Sequence, residues 1–148
     1  MSNQTYATPG VVPSAVPSAL TTIVPAVGRV LISTIFILSG LSKLAAPAAT
    51  IGYIQSVGLP LPSVGFGLAA FIEIVGGVTL LLGYRTRVAA GVLFLFALAT
   101  AVFFHSHFSD QNQFIHFFKN IAIAGGLLHV VAFGGGRISL DGRRGEMS

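Results

Sequence analysis

The sequence predicts an all-α membrane protein, a bundle of four transmembrane helices with both termini in the cytoplasm. Three observations carry that prediction. The 148 residues are 53% hydrophobic and only 8% charged, with a mean hydropathy of +0.86, whereas a soluble domain carries about 25% charged residues. Four apolar runs, 24–44, 65–83, 88–104 and 114–133, each approach the roughly 20 residues that a helix needs to cross a hydrocarbon core about 30 Å thick. The basic residues are also unevenly placed. Arg29, Arg85, Arg87, Arg137, Arg143 and Arg144 fall at one end of such a bundle, and Lys43 and Lys119 at the other. The positive-inside rule assigns the arginine end to the cytoplasm.

Composition also excludes function classes. The chain has no cysteine, which removes disulfides, thiol chemistry and iron–sulfur ligation. The formal charge of +4 rests on eight basic residues. Most flank apolar runs, so they read as an orientation signal rather than a nucleic-acid surface.

Residues 1–22 are rich in Ser, Thr, Pro and Ala, with Pro9, Pro13 and Pro17 and a small tandem Val-Pro-Ser-Ala over residues 12–19. No Lys or Arg precedes Arg29, which argues against a secretory signal with a basic start. A flexible tail is expected over 1–22, a membrane domain over 23–136 and a basic cytoplasmic tail over 137–148. The first run, Val24 to Leu44, has Pro25 in its expected first turn and Pro47 just beyond its end, as helix punctuation requires. Arg29 reads as a snorkelling end residue. The hydroxyls of Ser33, Thr34, Ser39 and Ser42 are expected to bond to their own helix backbone.

Residues 45–64 form a loop holding Gly58, Pro60 and Pro62, with a short interfacial helix expected over Ile51–Val57. The second run is Gly65–Gly83, and the turn Tyr84–Arg87 leads to the third, Val88–Phe104. A polar stretch from His105 to Gln113 precedes the fourth run, Phe114–Phe133, which ends in Gly134–Gly136.

Glu73 is the only ionisable group of the second run. An unpaired carboxylate there costs on the order of 2.5–3.5 kcal/mol, so it needs a proton, a cation or a polar cavity. It lies eight residues into its helix, roughly 12 Å deep, in the half of the bundle that also receives Lys43, His105, His116, Lys119 and Asn120. His116, Lys119 and Asn120 share a helix face at i, i+3 and i+4. The pairs Gly76–Gly77 and Gly125–Gly126 would allow the second and fourth spans to approach closely, bringing Lys119 to Glu73. Two readings stand side by side: a structural ion pair with Lys119 or Lys43, and a proton-handling or ligand-binding site with histidines at its mouth.

His105 and His107, two residues apart, point to different faces and make a poor preformed metal site. His129 has no second histidine at matching depth, so bis-histidine haem is not expected. Phe103, Phe104, Phe108, Phe114, Phe117 and Phe118 form an aromatic belt where a flat quinone-like ring can dock.

The segments Gly28-Arg29, Phe36-Ile-Leu-Ser-Gly40-Leu-Ser-Lys43-Leu and Gly58-Leu-Pro60, taken in order, resemble the DoxX family. So do Glu73-Ile-Val-Gly76-Gly77 with Leu80-Leu-Leu-Gly83, Phe104-His105, and Phe118-Lys119-Asn120 through Gly125-Gly126. The resemblance covers roughly residues 25–142. It implies a four-helix bundle in the bacterial inner membrane and an association with thiosulfate:quinone oxidoreductase or other membrane oxidoreductase assemblies. The positions it carries over are Arg29, Lys43, Glu73, His105, Lys119 and Asn120. The absence of cysteine speaks against a thiol relay.

The leading expectation is an accessory or quinone-facing subunit of a membrane redox system. Catalytic candidates are Glu73, Lys119, Lys43 and His105, ligand-binding candidates Arg29, Asn120 and His116, and no metal is expected. The first alternative is a non-catalytic scaffold that recruits a soluble partner through the basic tail. The second is a small-solute or proton carrier. The expected partners are the lipid bilayer and a protein partner or second copies of the chain.

Overall fold

The computed structural model describes residues 18–145. It contains α1 (Ser18–Ala45), α2 (Pro47–Ser56), α3 (Pro62–Leu82), α4 (Thr86–Phe104), α5 (Gln111–Phe133) and α6 (Leu140–Arg143). Helices α1, α3, α4 and α5 are long and apolar enough to cross a membrane. They are the four spans that the apolar runs predict.

The boundaries follow local chemistry. Pro62 opens α3, where its missing N–H is no loss. Gly83 closes it in the left-handed conformation (φ 69°), its N–H bonded to the Leu80 carbonyl and that of Tyr84 to Thr79. Asp110 opens α5 by accepting from the N–H groups of Asn112 and Gln113. The expected interfacial helix is present and longer, as α2. It buries Ile54 and lies against α3.

The tail over 1–22 needs correction at its boundary. Residues 1–17 lie outside the described residues, but 18–22 belong to α1. Ser18 to Thr22 hold no helix breaker, and Pro25 sits two turns inside the helix rather than at its start. Within the basic tail, residues 137–145 fold back onto the bundle. Asp141 donates its N–H to the Gly83 carbonyl at 2.9 Å, and its carboxylate caps α4 through the N–H groups of Arg85 and Thr86.

The spans form a ring in the order α1, α3, α4, α5. Its core is Phe36, Leu80, Ala89, Ala90, Leu93, Ala97, Ala124 and Leu127. The alanines of α4 let helices approach in a medium that offers little hydrophobic drive between them. The expected close contact between the second and fourth spans does not form, because their glycines face other partners. A Cβ on Gly76 would meet the Leu93 side chain, one on Gly77 would meet Ile37, and one on Gly126 would meet Ile32.

Candidate functional site

Glycine geometry between α1 and α3 decides which base reaches Glu73. A Cβ on Gly40 would sit 3.2 Å from the Cβ of Glu73, and one on Gly77 only 2.8 Å from Ile37 Cγ1. Two glycines therefore bring the helices together, Gly40 at the level of the acid and Gly77 one turn further toward the arginine end. Lys43 Nζ lies 2.8 Å from each carboxylate oxygen of Glu73, donating a hydrogen bond to Oε1. Its approach to Oε2 is an ion-pair contact, and Oε2 has no hydrogen-bond donor of its own. Ser39 Oγ donates to Oε1 at 3.0 Å and accepts from Lys43 at 2.9 Å. Glu73 is only 4% exposed, so the triangle offsets a desolvation cost that the lone carboxylate could not bear.

Ser39 was not among the sequence candidates. The signal was its position, four residues before Lys43 on the same face of α1. Its hydroxyl serves the acid rather than its own backbone. Thr34 does bond to its own helix, at Val30.

Lys119 does not pair with Glu73. It donates to His116 Nδ1 at 2.9 Å, and the His116 ring stacks against His105 with centroids 5.1 Å apart. His105 Nδ1 lies within hydrogen-bond distance of Gln113 Oε1, at 2.8 Å. Around these groups is a cavity of about 580 Å³. Ser39, Lys43 and Glu73 line it from α1 and α3, and His105, Lys119 and Asn120 from the α4–α5 side. Its walls are largely apolar, with Ile54, Leu68, Ile72, Phe96, Phe103 and Phe104 among them. Tyr53 of α2 completes the lining, its hydroxyl donating to the Phe104 carbonyl at 3.0 Å. Two lysines against one carboxylate leave the lining positive.

The structure thus brings Glu73, Lys43, Lys119, His105 and Asn120 to one cavity, with His116 beside it. Arg29 is elsewhere, and the snorkelling expectation for it is overturned. It is 4% exposed and donates inward to the carbonyls of Leu80, Leu81 and Ile138. A guanidinium satisfies the open carbonyls at the end of α3 better than it could in lipid. His129 faces outward, 3.4 Å from the Gly125 carbonyl. Four of the belt phenylalanines, Phe108, Phe114, Phe117 and Phe118, form a ring-contact cluster beyond the cavity.

The DoxX family model matches residues 24–106, more than half of the chain. Over 123 residues the chain is 33% identical to the inner membrane protein YphA of Escherichia coli (strain K12), covering 79% of this chain and 87% of that one. It is 36% identical over 117 residues to the inner membrane protein YqjF of the same strain, covering 78% and 87%. A shorter match, 40% over 74 residues, covers half of this chain and 53% of the putative oxidoreductase CatD of Bacillus subtilis (strain 168). No solved structure matches the chain. Four membrane-length helices, a match spanning α1 to α4, and two relatives aligned over most of their length lead to one conclusion: the chain belongs to the DoxX family and is a multi-pass protein of the bacterial inner membrane.

Proposed function

We propose that this protein is an accessory, quinone-facing subunit of a membrane redox system, its ligand site the cavity around Glu73, with the arginine end in the cytoplasm. One observation carries the reading: a largely apolar chamber of about 580 Å³ at membrane depth holds an acid, two lysines, a histidine and an amide. Flat aromatic and aliphatic walls suit a quinone ring. Lys119 and Asn120 offer donors to a carbonyl oxygen, and the Glu73–Lys43 pair offers a proton site. Reduction of a quinone to a quinol takes two electrons and two protons. The electrons would come from a partner oxidoreductase, while this chain binds the ring and supplies protons. The putative oxidoreductase CatD, by its name, lends weak support to the redox setting.

The test is quantitative quinone analysis of protein purified from membranes in mild detergent. Wild-type protein is expected to retain quinone near one per chain. Ala69→Phe, which fills the cavity from α3, should lower it to background while thermal stability is kept. Absence of quinone from the wild type refutes the reading, as does an unchanged quinone-pool redox state after depletion of the protein. A structural role for Glu73 is favoured by its closure with Lys43 and Ser39. A Glu73→Gln protein that assembles and keeps full quinone occupancy and complementation would assign the pair to that role.

A further inference from the structure

The arginine end holds a second cavity, of about 380 Å³, between the α3–α4 turn, the end of α5 and α6. Its lining includes Arg85, Arg87 and Arg144 against one carboxylate, Asp141. That carboxylate is already engaged. Oδ1 accepts from the Arg85 N–H at 2.8 Å, and Oδ2 accepts from the N–H and hydroxyl of Thr86 at 2.7 and 2.6 Å. Among the described residues the ion pair at contact distance is Lys43–Glu73; none of these three arginines has a carboxylate at that distance, and Arg144 acts on Asp141 only through its longer-range charge. Neutral groups hold two of them instead. Arg144 lies over the Tyr84 ring, 5.2 Å from its centroid. Arg87 lies along Gly134, where a Cβ would come 3.5 Å from its Nε.

Guanidinium forks without carboxylate partners are receptors for phosphate-type oxyanions. The cavity lies where α3 ends and α4 begins, at the ends of two membrane-length helices. Two of its lining residues are apolar and open outward, Val88 at 62% and Phe133 at 79% exposure. A free anion gains nothing from that apolar rim, whereas a phospholipid uses both halves.

We propose that this cavity binds an anionic phospholipid, its phosphate among Arg85, Arg87 and Arg144 and its acyl chains along Val88 and Phe133. The lipid would tie the α3–α4 turn to the C-terminal segment that caps it.

The test is native mass spectrometry of detergent-solubilised protein titrated with equimolar dioleoylphosphatidylglycerol and dioleoylphosphatidylcholine. The wild type is expected to retain the phosphatidylglycerol preferentially, and that preference to shrink as salt rises through the range where the Debye length drops below about 8 Å. Arg87→Gln should weaken the anionic lipid about fivefold, and Arg87→Gln with Arg144→Gln about 25-fold, with a smaller loss for zwitterionic phosphatidylcholine, so that the preference between the two narrows. Arg87→Lys, which keeps the charge but loses the guanidinium fork, should fall between the wild type and Arg87→Gln. No preference between the lipids, a preference insensitive to salt, or double-variant binding equal to the wild type each overturns the proposal. Inorganic phosphate at millimolar concentration displacing the lipid completely would show a free-anion site and overturn it too.

Discussion

Lys43→Met is the sharpest test of the buried pair. Without the ammonium, Glu73 keeps one donor, Ser39 Oγ at 3.0 Å, in a position only 4% exposed. Removing one partner of a buried ion pair costs roughly 3–5 kcal/mol. The Lys43 side chain is 25% exposed, so the pair is partly solvated and the expected cost is about 3 kcal/mol, at the low end. The reverse change, Glu73→Gln, leaves a lysine that can reach water and still donate to an amide oxygen. It exchanges a charge-assisted hydrogen bond for a neutral one, about 1–2 kcal/mol. The double variant leaves no buried charge alone and should cost about as much as Glu73→Gln, so the coupling equals the Lys43→Met cost, about 3 kcal/mol. The assay is reversible unfolding in mixed micelles, followed by circular dichroism for all four proteins of the cycle. Additivity within about 0.5 kcal/mol, or a Lys43→Met cost below about 1 kcal/mol as for an exposed pair, would refute the reasoning.

Gly77→Ala should destabilise by about 1–3 kcal/mol through overpacking against Ile37. Gly125→Ala, where an added Cβ meets nothing within 4 Å, should stabilise by up to about 1 kcal/mol through helix propensity; thermal unfolding compares the two. Arg29→Lys keeps the charge but cannot span the α3 carbonyls and Ile138 together. It should cost about 1–3 kcal/mol and speed tryptic cleavage at Arg137. At Asp141, burial works to raise the carboxyl pKa, but the Thr86 and Arg85 hydrogen bonds and the Arg144 charge together outweigh it and hold the value below the ordinary one. A depressed folded pKa means that its stabilisation is complete above the ordinary carboxyl value of about 3.9 and is lost as pH falls through the lower folded value. Unfolding midpoints measured from neutral pH down to about pH 3 should show that acid loss in the wild type and a flatter profile, lower at neutral pH, in Asp141→Asn.

The four spans were legible because apolar length alone determines them in lipid, where every backbone group must be satisfied within the helix. The shared depth of Glu73 and its candidate bases was legible for the same reason, since rise per residue converts position into height. Which lysine pairs was not. Gly76–Gly77 and Gly125–Gly126 look alike in sequence, yet each glycine faces a different neighbour, and that choice is made by the ring order of the helices. Ser39 was read as bonding to its own backbone because that bond is always locally available; only the approach of α3 offers it a carboxylate. Arg29 was misread because inward capture depends on Ile138, 109 residues away, folding back to the end of α3.

That same arginine bears on how the cavity can work. It grips α3 at Leu80 and Leu81, while Gly77 seats the helix against α1. Glu73 lies one turn beyond that seat, so its height is set by backbone contacts on its own helix. Lys43 has no such constraint: it reaches the acid through a flexible four-carbon stem and remains partly exposed. Opening the pair therefore moves the base and leaves the acid in place. The vacated carboxylate would still face a cavity lined by Lys119, Asn120 and His105, so under the proposed function a ligand or proton would meet a fixed acceptor surrounded by adjustable donors. The arginine end offers no such freedom, because its bonds from Asp141 and Arg29 run to backbone amides and carbonyls whose positions the helices dictate.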